Sequence, residues 1–399
     1  MNNKNGLPLP PAAAKRPVRD TRHGIERVDD YAWLRADNWQ EVMRNPSLLA
    51  DDIRKYLEAE NDYTAAAMAN TVELQGKLFA EMKGRIKEDD SSVPANDGPF
   101  AYFTRFVTGG QHPLFCRRPR DGGEDAVLID GNALAEPHSY FRIGGVTHSP
   151  DPSLLAYASD INGSEYYTVR VLDPVSGKEV GEPIPDTNGG AVWAKDGKTL
   201  FYSRLDDNHR PRQIYRHTLG TPTAEDVLVY EDPDPGFFVG VGITQSDAFI
   251  VIDSHDHQTS EIRVIDAGKP HSEPVLIAAR QTGHEYSLEH QGGNFIILTN
   301  CDGAEDFKIV AAPVDKPDRE HWQDIEPHRE GRLILDVVTF KDHLIRLERE
   351  DGLPRIVIRD VAKGDEHAIS FDEEAYSLGL SAGYEYDTTN LRFTYSSMT

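Results

Sequence analysis

The sequence is poor in cysteine and contains no long apolar run. Cys116 and Cys301 are its two cysteines in 399 residues, and neither has a second cysteine at metal-ligand spacing. A disulfide framework is therefore not indicated, and two buried free thiols are expected. No segment reaches the roughly 18 consecutive apolar residues of a membrane-spanning helix. Residues 1–22 also lack the apolar core of a secretory signal. The sequence thus predicts a cytoplasmic protein that does not enter a membrane.

Positive charge is also scarce. The chain has 42 lysine and arginine residues against 67 aspartate and glutamate residues, which gives a formal net charge of −25. Nucleic-acid binding requires a basic face, so this balance argues against it and remains compatible with cationic ligands. One local exception is a basic segment near the N-terminus, formed by Lys15, Arg16, Arg19 and Arg22.

Common cofactor and metal motifs are missing as well. The chain has no G-x-G-x-x-G, no G-x-x-x-x-G-K-[ST] and no H-E-x-x-H. The pairs Gly109-Gly110 and Gly144-Gly145 lie between strand-like runs and are interpreted as turn or bulge glycines. His255 and His257 flank Asp256 where a polar loop is expected, and zinc needs three or four convergent ligands. No cofactor or metal site is therefore expected.

One catalytic pattern matches formally. Residues 379–383 fit G-x-S-x-G around Ser381. A nucleophile elbow needs a helix after the serine, then an acid and a histidine later in the chain. Here a turn into a strand follows, and the last histidine, His367, precedes Ser381. Ser381 is therefore not expected to be catalytic, and no catalytic residue is assigned.

What the chain does have is a repeat. An apolar residue opens a short strand-like run every 46 to 55 residues. A period of this size is typical of an array in which each unit is one four-stranded propeller blade. The anchors are Phe100, Leu155, Phe201, Phe249, Phe295, Leu344 and Leu391.

A complete repeat contains four short strand patterns with period-two alternation. In the third copy the strands are 191–193, 199–204, 213–218 and 226–230, and Asp196-Gly197 forms the first hairpin turn. The sequence predicts a mainly β fold, a seven-bladed propeller over residues 95–399, preceded by an α-helical segment.

The seventh repeat has only two predicted strands, 376–381 and 391–395. A half-blade leaves a bare strand edge, which proteins normally avoid. An N-terminal strand could complete the ring, but no β pattern is recognised before Phe100. We therefore expect an incomplete last blade and a chain that is a piece of a longer protein.

The N-terminal segment, 1–88, is predicted to be an extended arm over 1–20 followed by two helices. The first begins at Pro46 after the cap Asn45, and its apolar residues recur at helical spacing. The second ends in the loop 89–94. Both apolar faces need a partner, which is either the propeller flank or another domain. The predicted apolar positions are Leu49, Ile53, Tyr56, Leu57, Tyr63 and Met68 in the first helix and Leu78, Phe79, Met82 and Ile86 in the second.

Three runs of residues carry a family resemblance. His23–Leu34 resembles the N-terminal H-G-x-x-x-x-D-x-Y-x-W-L motif of the prolyl oligopeptidase family of serine peptidases. Lys83–Pro94 and Leu391–Thr399 are similar to the oligopeptidase B branch, which cleaves after basic residues. Together with the repeats, the resemblance extends over nearly the whole chain.

The resemblance implies a role for the chain. In that family a seven-bladed propeller is inserted into a peptidase, gates its cleft and admits only short peptides. The N-terminal helices belong with an α/β-hydrolase domain whose main body follows the propeller and carries the Ser, Asp and His residues. The expected partners are thus this C-terminal domain and short basic peptides, and the chain alone is expected to be inactive.

The chain would cross between these domains near residues 83–86 and just beyond Thr399. Lys83, Gly84, Arg85 and Ile86 are therefore hinge candidates. Their other interpretation is an ordinary helix end with a glycine cap and cations near the helix dipole. Two other functions remain open, a free-standing propeller that binds a protein or peptide partner and a propeller hydrolase of sugars or lactones.

Overall fold

A computed structural model describes residues 8–398, so residues 1–7 and the expected crossing beyond Thr399 lie outside the described range. Within that range the chain forms two compact units. The first contains the described residues up to Asp90 together with Val107–Gly109. The second contains Ser91–Phe106 and the residues from Gly110 onward.

The first unit begins with a β-hairpin that the sequence analysis did not predict. Strand β1, Val18–Arg22, pairs antiparallel with β2, Ile25–Asp29. The turn residues His23 and Gly24 have φ angles of 54° and 76°. Two positive φ values in succession are typical of a type I′ turn, which suits the twist of a two-residue hairpin. The prediction that no strand precedes Phe100, and with it the extended arm over residues 18–20, is therefore wrong.

Three helices follow the hairpin. The predicted first helix starts as a 3₁₀ turn, Pro46–Leu48, in which Ser47 N donates to Asn45 Oδ1 over 3.1 Å. Its α-helical part begins five residues after Pro46, since Pro46 and Asn45 define the short turn instead. The helices are α1, Trp39–Arg44; α2, Asp51–Ala67; and α3, Val72–Gly84.

The predicted basic segment is paired with acids. Lys15 Nζ lies 2.7 Å from Asp30 Oδ2, and Arg16 Nη1 lies 2.6 Å from Asp52 Oδ2. Arg19 pairs with Glu26 and Arg22 with Asp20 in the same way. This segment therefore presents balanced charge rather than a positive patch.

The second unit is built from antiparallel strands in consecutive repeats. The first five predicted anchors, from Phe100 to Phe295, and Leu344 all lie in the second strand of their repeat, and Leu391 lies one residue before such a strand. The repeat therefore predicted the strand order correctly, and the chain is mainly β. Strand β3, which the sequence analysis missed, opens the first repeat before Phe100.

The strands group into repeats as follows. Repeat 1 is β3, Ala95–Asp97; β4, Phe100–Arg105; β5, Leu114–Pro119; and β6, Ala126–Asp130, followed by helix α4, Gly131–Ala135. Repeat 2 is β7, Arg142–His148; β8, Leu155–Asp160; β9, Tyr167–Asp173; β10, Lys178–Glu179; and β11, Ile184–Thr187. Repeat 3 is β12, Val192–Trp193; β13, Thr199–Leu205; β14, Pro211–Thr218; and β15, Val227–Glu231.

The later repeats are more regular. Repeat 4 is β16, Phe238–Ile243; β17, Phe249–His255; β18, Ser260–Asp266; and β19, Val275–Leu276. Repeat 5 is β20, Tyr286–Gln291; β21, Asn294–Thr299; β22, Lys308–Pro313; and β23, Gln323–Glu326. Repeat 6 is β24, Arg332–Thr339; β25, His343–Glu350; β26, Leu353–Asp360; and β27, Glu366–Ala368. Repeat 7, within the described residues, is β28, Tyr376–Ser381, and β29, Arg392–Ser397.

Repeats 2 and 3 share one sheet, because Thr187 of β11 pairs with both Tyr167 of β9 and Arg204 of β13. The Gly144-Gly145 pair lies where the β7–β8 register shifts, as a bulge requires. A Cβ atom on Gly144 would lie 2.6 Å from the Gly189 carbonyl oxygen, so only glycine fits there. Close backbone approach, rather than phosphate binding, accounts for this pair.

The core lies between consecutive repeats. Phe201 and Ile214 of repeat 3 pack in one cluster with Val239, Ile250 and Ile252 of repeat 4, and all are at most 1% exposed. Similar clusters join repeats 1 and 2, 2 and 3, 4 and 5, 5 and 6, and 6 and 7. Each sheet therefore uses both faces to bury apolar side chains against its neighbours in sequence order.

Candidate functional site

Helix α3 presents an unpartnered apolar face. Leu78, Phe79 and Met82 recur at i, i+1 and i+4 and are 47%, 66% and 60% exposed. Ile86, just beyond the helix, is 67% exposed, and Val72 at its start is 64% exposed. An exposed row of large apolar side chains is typical of an interaction surface. Three of the four predicted positions of this face therefore lie on α3, and all four are exposed within the described part of this unit.

Helix α2 is little better packed. Ile53, at 6% exposure, is the one buried apolar side chain among the described residues of the first unit. Leu57 and Met68, which the sequence analysis placed on the same face, are each 48% exposed. Burial of one side chain supplies only about 2 kcal/mol, so these helices have almost no core of their own.

Local polar contacts hold the arm to the helices instead. The Trp33 indole N–H donates to the Ala14 carbonyl over 2.8 Å, and the Arg16 guanidinium stacks 3.9 Å from the Trp33 ring centroid. The Trp33 ring also meets Tyr56 of α2 edge to face at 6.3 Å. These contacts give the Tyr31–Leu34 part of the family motif a structural role.

The hinge candidates lie at the end of α3. Lys83 and Gly84 are its last residues, and Arg85 is the C-cap with φ −86° and ψ −12°. Because Gly84 is still helical and Arg85 caps, the expectation of a glycine cap is wrong, whereas Lys83 does lie in the last turn. Ile86 N donates to the Lys83 carbonyl over 3.0 Å, which continues the turn past the helix end.

Glu88, which the sequence analysis missed, connects this turn to a second segment of the chain, the loop that contains Gly109. Its carboxylate accepts a hydrogen bond from Gly109 N over 2.9 Å and lies 3.3 Å from Lys83 Nζ. The hydrogen bond from the Gly109 N–H is the main cause that lowers the pKa of Glu88 below its ordinary value, and the contact with Lys83 is the second cause. The sequence signal for this contact was the pair Gly109-Gly110, which was interpreted as a turn. Gly109 does have a φ of 80°, which is typical of a turn glycine.

Ser381 lies where the sequence analysis placed it. It is the last residue of β28, and the chain continues through a loop into β29 without a helix. Gly379 carries its own constraint, because a Cβ atom there would lie 2.7 Å from Thr394 Oγ1. Sheet packing thus explains the first glycine of the pattern, and nothing around Ser381 forms a nucleophile elbow.

The histidines and cysteines also have local explanations. His255 Nδ1 lies 2.9 Å from Asp253 Oδ2 at the end of β17, while His257 is exposed in the loop that follows. Cys116 and Cys301 are free and buried, as predicted. Among residues 8–398 no group of three or more histidine, cysteine, aspartate or glutamate side chains is arranged to hold a metal ion.

Carboxyl groups with raised pKa values occur on first strands and first hairpins of the repeats. Desolvation by the surrounding protein raises the pKa of the half-buried Glu289 on β20 to about 7 and that of Asp247, in the β16–β17 hairpin, to about 6. Desolvation also raises the pKa of Asp336 on β24. Glu289 Oε2 accepts a hydrogen bond from Gln245 N over 2.9 Å. Asp336 likewise accepts a hydrogen bond from Val337 N over 2.8 Å, so two of these acids bind backbone groups. Among the described residues, these acids are not part of a paired nucleophile and base of an acyl-transfer site.

Within the part of the chain that the structure describes, no helix is long and apolar enough to cross a membrane.

Comparison with known proteins accounts for this arrangement. Residues 10–399 match the family model of the prolyl oligopeptidase N-terminal β-propeller domain. The chain is 39% identical to dipeptidyl aminopeptidase BI of Pseudoxanthomonas mexicana, over 98% of this chain and 55% of that protein. It is 30% identical to protease 2 of Moraxella lacunata, over 97% of this chain and 55% of that protein.

Structural similarity agrees with the family match. Oligopeptidase B from Leishmania major superposes with a TM-score of 0.89 and 27% identity, over 98% of this chain and 57% of that chain. The chain therefore spans about half the length of the relatives that it matches. It belongs to the prolyl oligopeptidase family, whose N-terminal β-propeller domain it represents.

Proposed function

We propose that this chain is the gating part of an oligopeptidase-B-like serine endopeptidase. The propeller restricts access by size, so that the parent enzyme hydrolyses short peptides after Arg or Lys in the cytoplasm. The chain alone is inactive. Attack by a serine, with a histidine as base and acid and an aspartate orienting it, takes place in a C-terminal α/β-hydrolase domain.

The domain arrangement is part of the proposal. Residues 95–399 form seven blades, and the first two strands of the seventh are β28 and β29. Residues that follow in the longer relatives complete that blade, since these relatives have almost twice the matched length. Residues 1–88 pack on the hydrolase domain and leave the propeller to interact with it through loops.

The observation that carries the proposal is the bare face of α3. Phe79, Met82 and Ile86 are between 60% and 67% exposed, whereas the second unit buries large side chains such as Phe201 and Phe295. A family member that places an apolar helix face in water needs a partner there, and a hydrolase domain is a partner of the right chemistry.

The hinge proposal follows from the same region. Helix α3 ends at Gly84, and the turn that follows is held by a few local contacts, among them the bond from Ile86 N to the Lys83 carbonyl and the Glu88 contacts to Lys83 and Gly109. A few residues at the end of an element are where opening motions concentrate backbone rotation. Rotation at Arg85 and Ile86 would therefore let the gate move without disrupting α3.

The test starts from the natural reading frame that contains this chain. We expect it to encode two further strands, then G-x-S-x-G, an aspartate and a histidine. The full protein should cleave an N-terminally blocked peptide after an internal Arg, and the 399-residue chain should not. Turnover by this chain that is lost on Ser381→Ala would overturn the proposal. A reading frame that stops at Thr399 would favour a free-standing propeller that binds a partner.

A second activity has a specific observation in its favour. The relative with 39% identity is named a dipeptidyl aminopeptidase, which indicates removal of dipeptides from a free N-terminus. Paired substrates distinguish the two activities, one with a blocked N-terminus and one with a free N-terminus two residues before the scissile bond. Cleavage of only the free form would replace the endopeptidase assignment and leave the gating role intact.

A further inference from the structure

The junction between the last and first repeats differs from the other junctions. Apolar clusters join each repeat to the next, from repeat 1 through repeat 7. Among the described residues no such cluster joins repeat 7 to repeat 1. Polar contacts from one loop take its place.

That loop is the first hairpin of repeat 7, residues 382–391, which we call the closing hairpin. It has ten residues between β28 and β29, whereas the equivalent hairpins of repeats 1 to 6 have two to six. Two residues suffice to connect antiparallel strands. The extra residues must therefore be explained by what they contact.

Four consecutive residues of the closing hairpin, Tyr384–Asp387, contact five other repeats. The Tyr384 ring meets Tyr102 of repeat 1 and His148 of repeat 2 edge to face, at 5.7 Å and 4.9 Å between centroids. Gln245 Nε2 of repeat 4 donates to the Tyr384 and Glu385 carbonyls over 3.4 Å and 3.3 Å.

Repeats 5 and 6 are bound by the next two residues. Gly292 N donates to Tyr386 Oη over 3.3 Å, and Lys341 N donates to the Tyr386 carbonyl over 3.1 Å. Lys341 Nζ also lies 2.7 Å from Asp387 Oδ2. Each of these partners lies in the first hairpin of its own repeat.

Four residues span at most about 14 Å when fully extended. For so short a segment to contact repeats 1, 2, 4, 5 and 6, the parts of these repeats at or near their first hairpins must converge around it. The closing hairpin therefore lies at the point about which the sheets are arranged, and it covers that point on the side of the first hairpins.

Its ion pair bridges the ends of the array. Glu385 forms a two-pronged pair with Arg120 of repeat 1, and the carboxylate is 19% exposed. Arg392, which follows the hairpin, donates to the Val93 and Pro94 carbonyls over 2.6 Å and 2.8 Å. Bidentate arginine contacts of this kind fix geometry as well as contributing energy.

We propose that the closing hairpin is a polar clasp that fastens the last repeat to the first and closes the ring of sheets at that end. It performs at the seventh junction what apolar packing performs at the other six. The clasp is a property of the propeller itself and is independent of the peptidase assignment.

Hydrogen–deuterium exchange of the 399-residue chain tests the clasp. One variant replaces residues 382–391 with Asn-Gly, which keeps the Ser381–Arg392 pairing and makes a two-residue hairpin. We expect amide exchange in β3–β6 and β28–β29 to accelerate by about tenfold or more, with β16–β23 little changed. Unchanged exchange in the first and last repeats, or equal acceleration in all repeats, would overturn the proposal.

Point variants keep the test decisive if the replacement does not fold. Glu385→Arg and Arg120→Glu should each accelerate exchange in repeats 1 and 7, and the double variant should restore it. The matched control is Lys363→Met, which removes an exposed 2.7 Å pair with Asp360 inside repeat 6. An effect of the control on repeats 1 and 7, or a double variant that behaves as the sum of its parts, would contradict the clasp.

Discussion

The two units of this chain are stabilised by different interactions. The sheet unit buries large side chains such as Phe201, Tyr202 and Phe295 to 1% exposure or less. The N-terminal unit buries Ile53 alone among its described apolar residues and relies on exposed ion pairs such as Lys15–Asp30. Exposed ion pairs contribute little to stability, and apolar burial contributes most of it.

This difference in burial indicates which unit can fold on its own and which unit needs a partner. A unit with its own core can fold on its own, whereas helices with an open apolar face gain their stability from a partner. The relatives are almost twice as long as the part that matches this chain, and under the proposed function their further residues correspond to that partner. The contrast between the units thus predicts dependence in one and independence in the other.

Removing one large apolar side chain from each unit, a buried one from the sheet unit and an exposed one from α3, sharpens the comparison most. Phe201→Ala should lower the free energy of unfolding by about 3–5 kcal/mol, because it leaves a cavity between repeats 3 and 4. Phe79→Ala should change it by less than about 0.5 kcal/mol, because Phe79 is 66% exposed. Urea unfolding followed by far-ultraviolet circular dichroism measures both. Equal effects would mean that α3 is packed after all.

Buried charge in the sheet unit should have the next largest effect. Arg346 Nη1 and Nη2 donate to both oxygens of Glu366 over 2.8 Å, and Nε lies 2.8 Å from Glu348. Arg346→Met should lower the free energy of unfolding by about 2–3 kcal/mol. The substitution leaves the carboxylates of Glu348 and Glu366 without their main partner, and Arg332 compensates only in part. The exposed control Lys363→Met should leave the urea midpoint unchanged. A loss as small as the control's would show that this network is not buried in solution.

The smallest expected effect concerns pH. The pKa of Glu289 is raised to about 7 in the folded protein, so the folded state binds a proton more tightly than the unfolded state. Its contribution is fully present below the unfolded pKa of about 4.5 and is lost as pH rises through about 7.

Glu289→Gln should therefore remove roughly 1–2 kcal/mol of the decline in stability between pH 5 and pH 8. The measurement is urea unfolding of both proteins across that range. Glu124→Gln on an exposed loop serves as the control. If the two Gln variants kept the same pH slope as the parent chain, the surroundings of Glu289 would not raise its pKa, and the account of this acid would be wrong.

Much of the fold could be predicted because the repeat depends on interactions between residues that are close in sequence. Asp196-Gly197 forms the turn between β12 and β13, where Asp196 Oδ1 accepts from Lys198 N over 2.9 Å and Gly197 has a φ of 64°. Such turns and the alternating apolar anchors depend on near neighbours in sequence. They identified the strand order, and together with the runs 23–34, 83–94 and 391–399 they identified the family.

The features that were missed depend on partners far away in sequence or on exposed strands. The β1–β2 hairpin has no buried residue, so it lacks the apolar alternation that indicates a strand, although His23-Gly24 is a recognisable turn signal. The closing hairpin looks like an ordinary polar turn, because Arg120 lies 265 residues from Glu385. No local pattern predicts that pairing.

The most direct test of the contrast is amide hydrogen exchange across α2 and α3, measured in the 399-residue chain and in the longer protein that we propose its natural reading frame encodes. In the chain alone, we expect these helices to exchange far faster than β13, β17 and β21. In the longer protein, they should become protected to a similar degree as those strands. Helices that are already as protected as the strands in the chain alone would contradict the account.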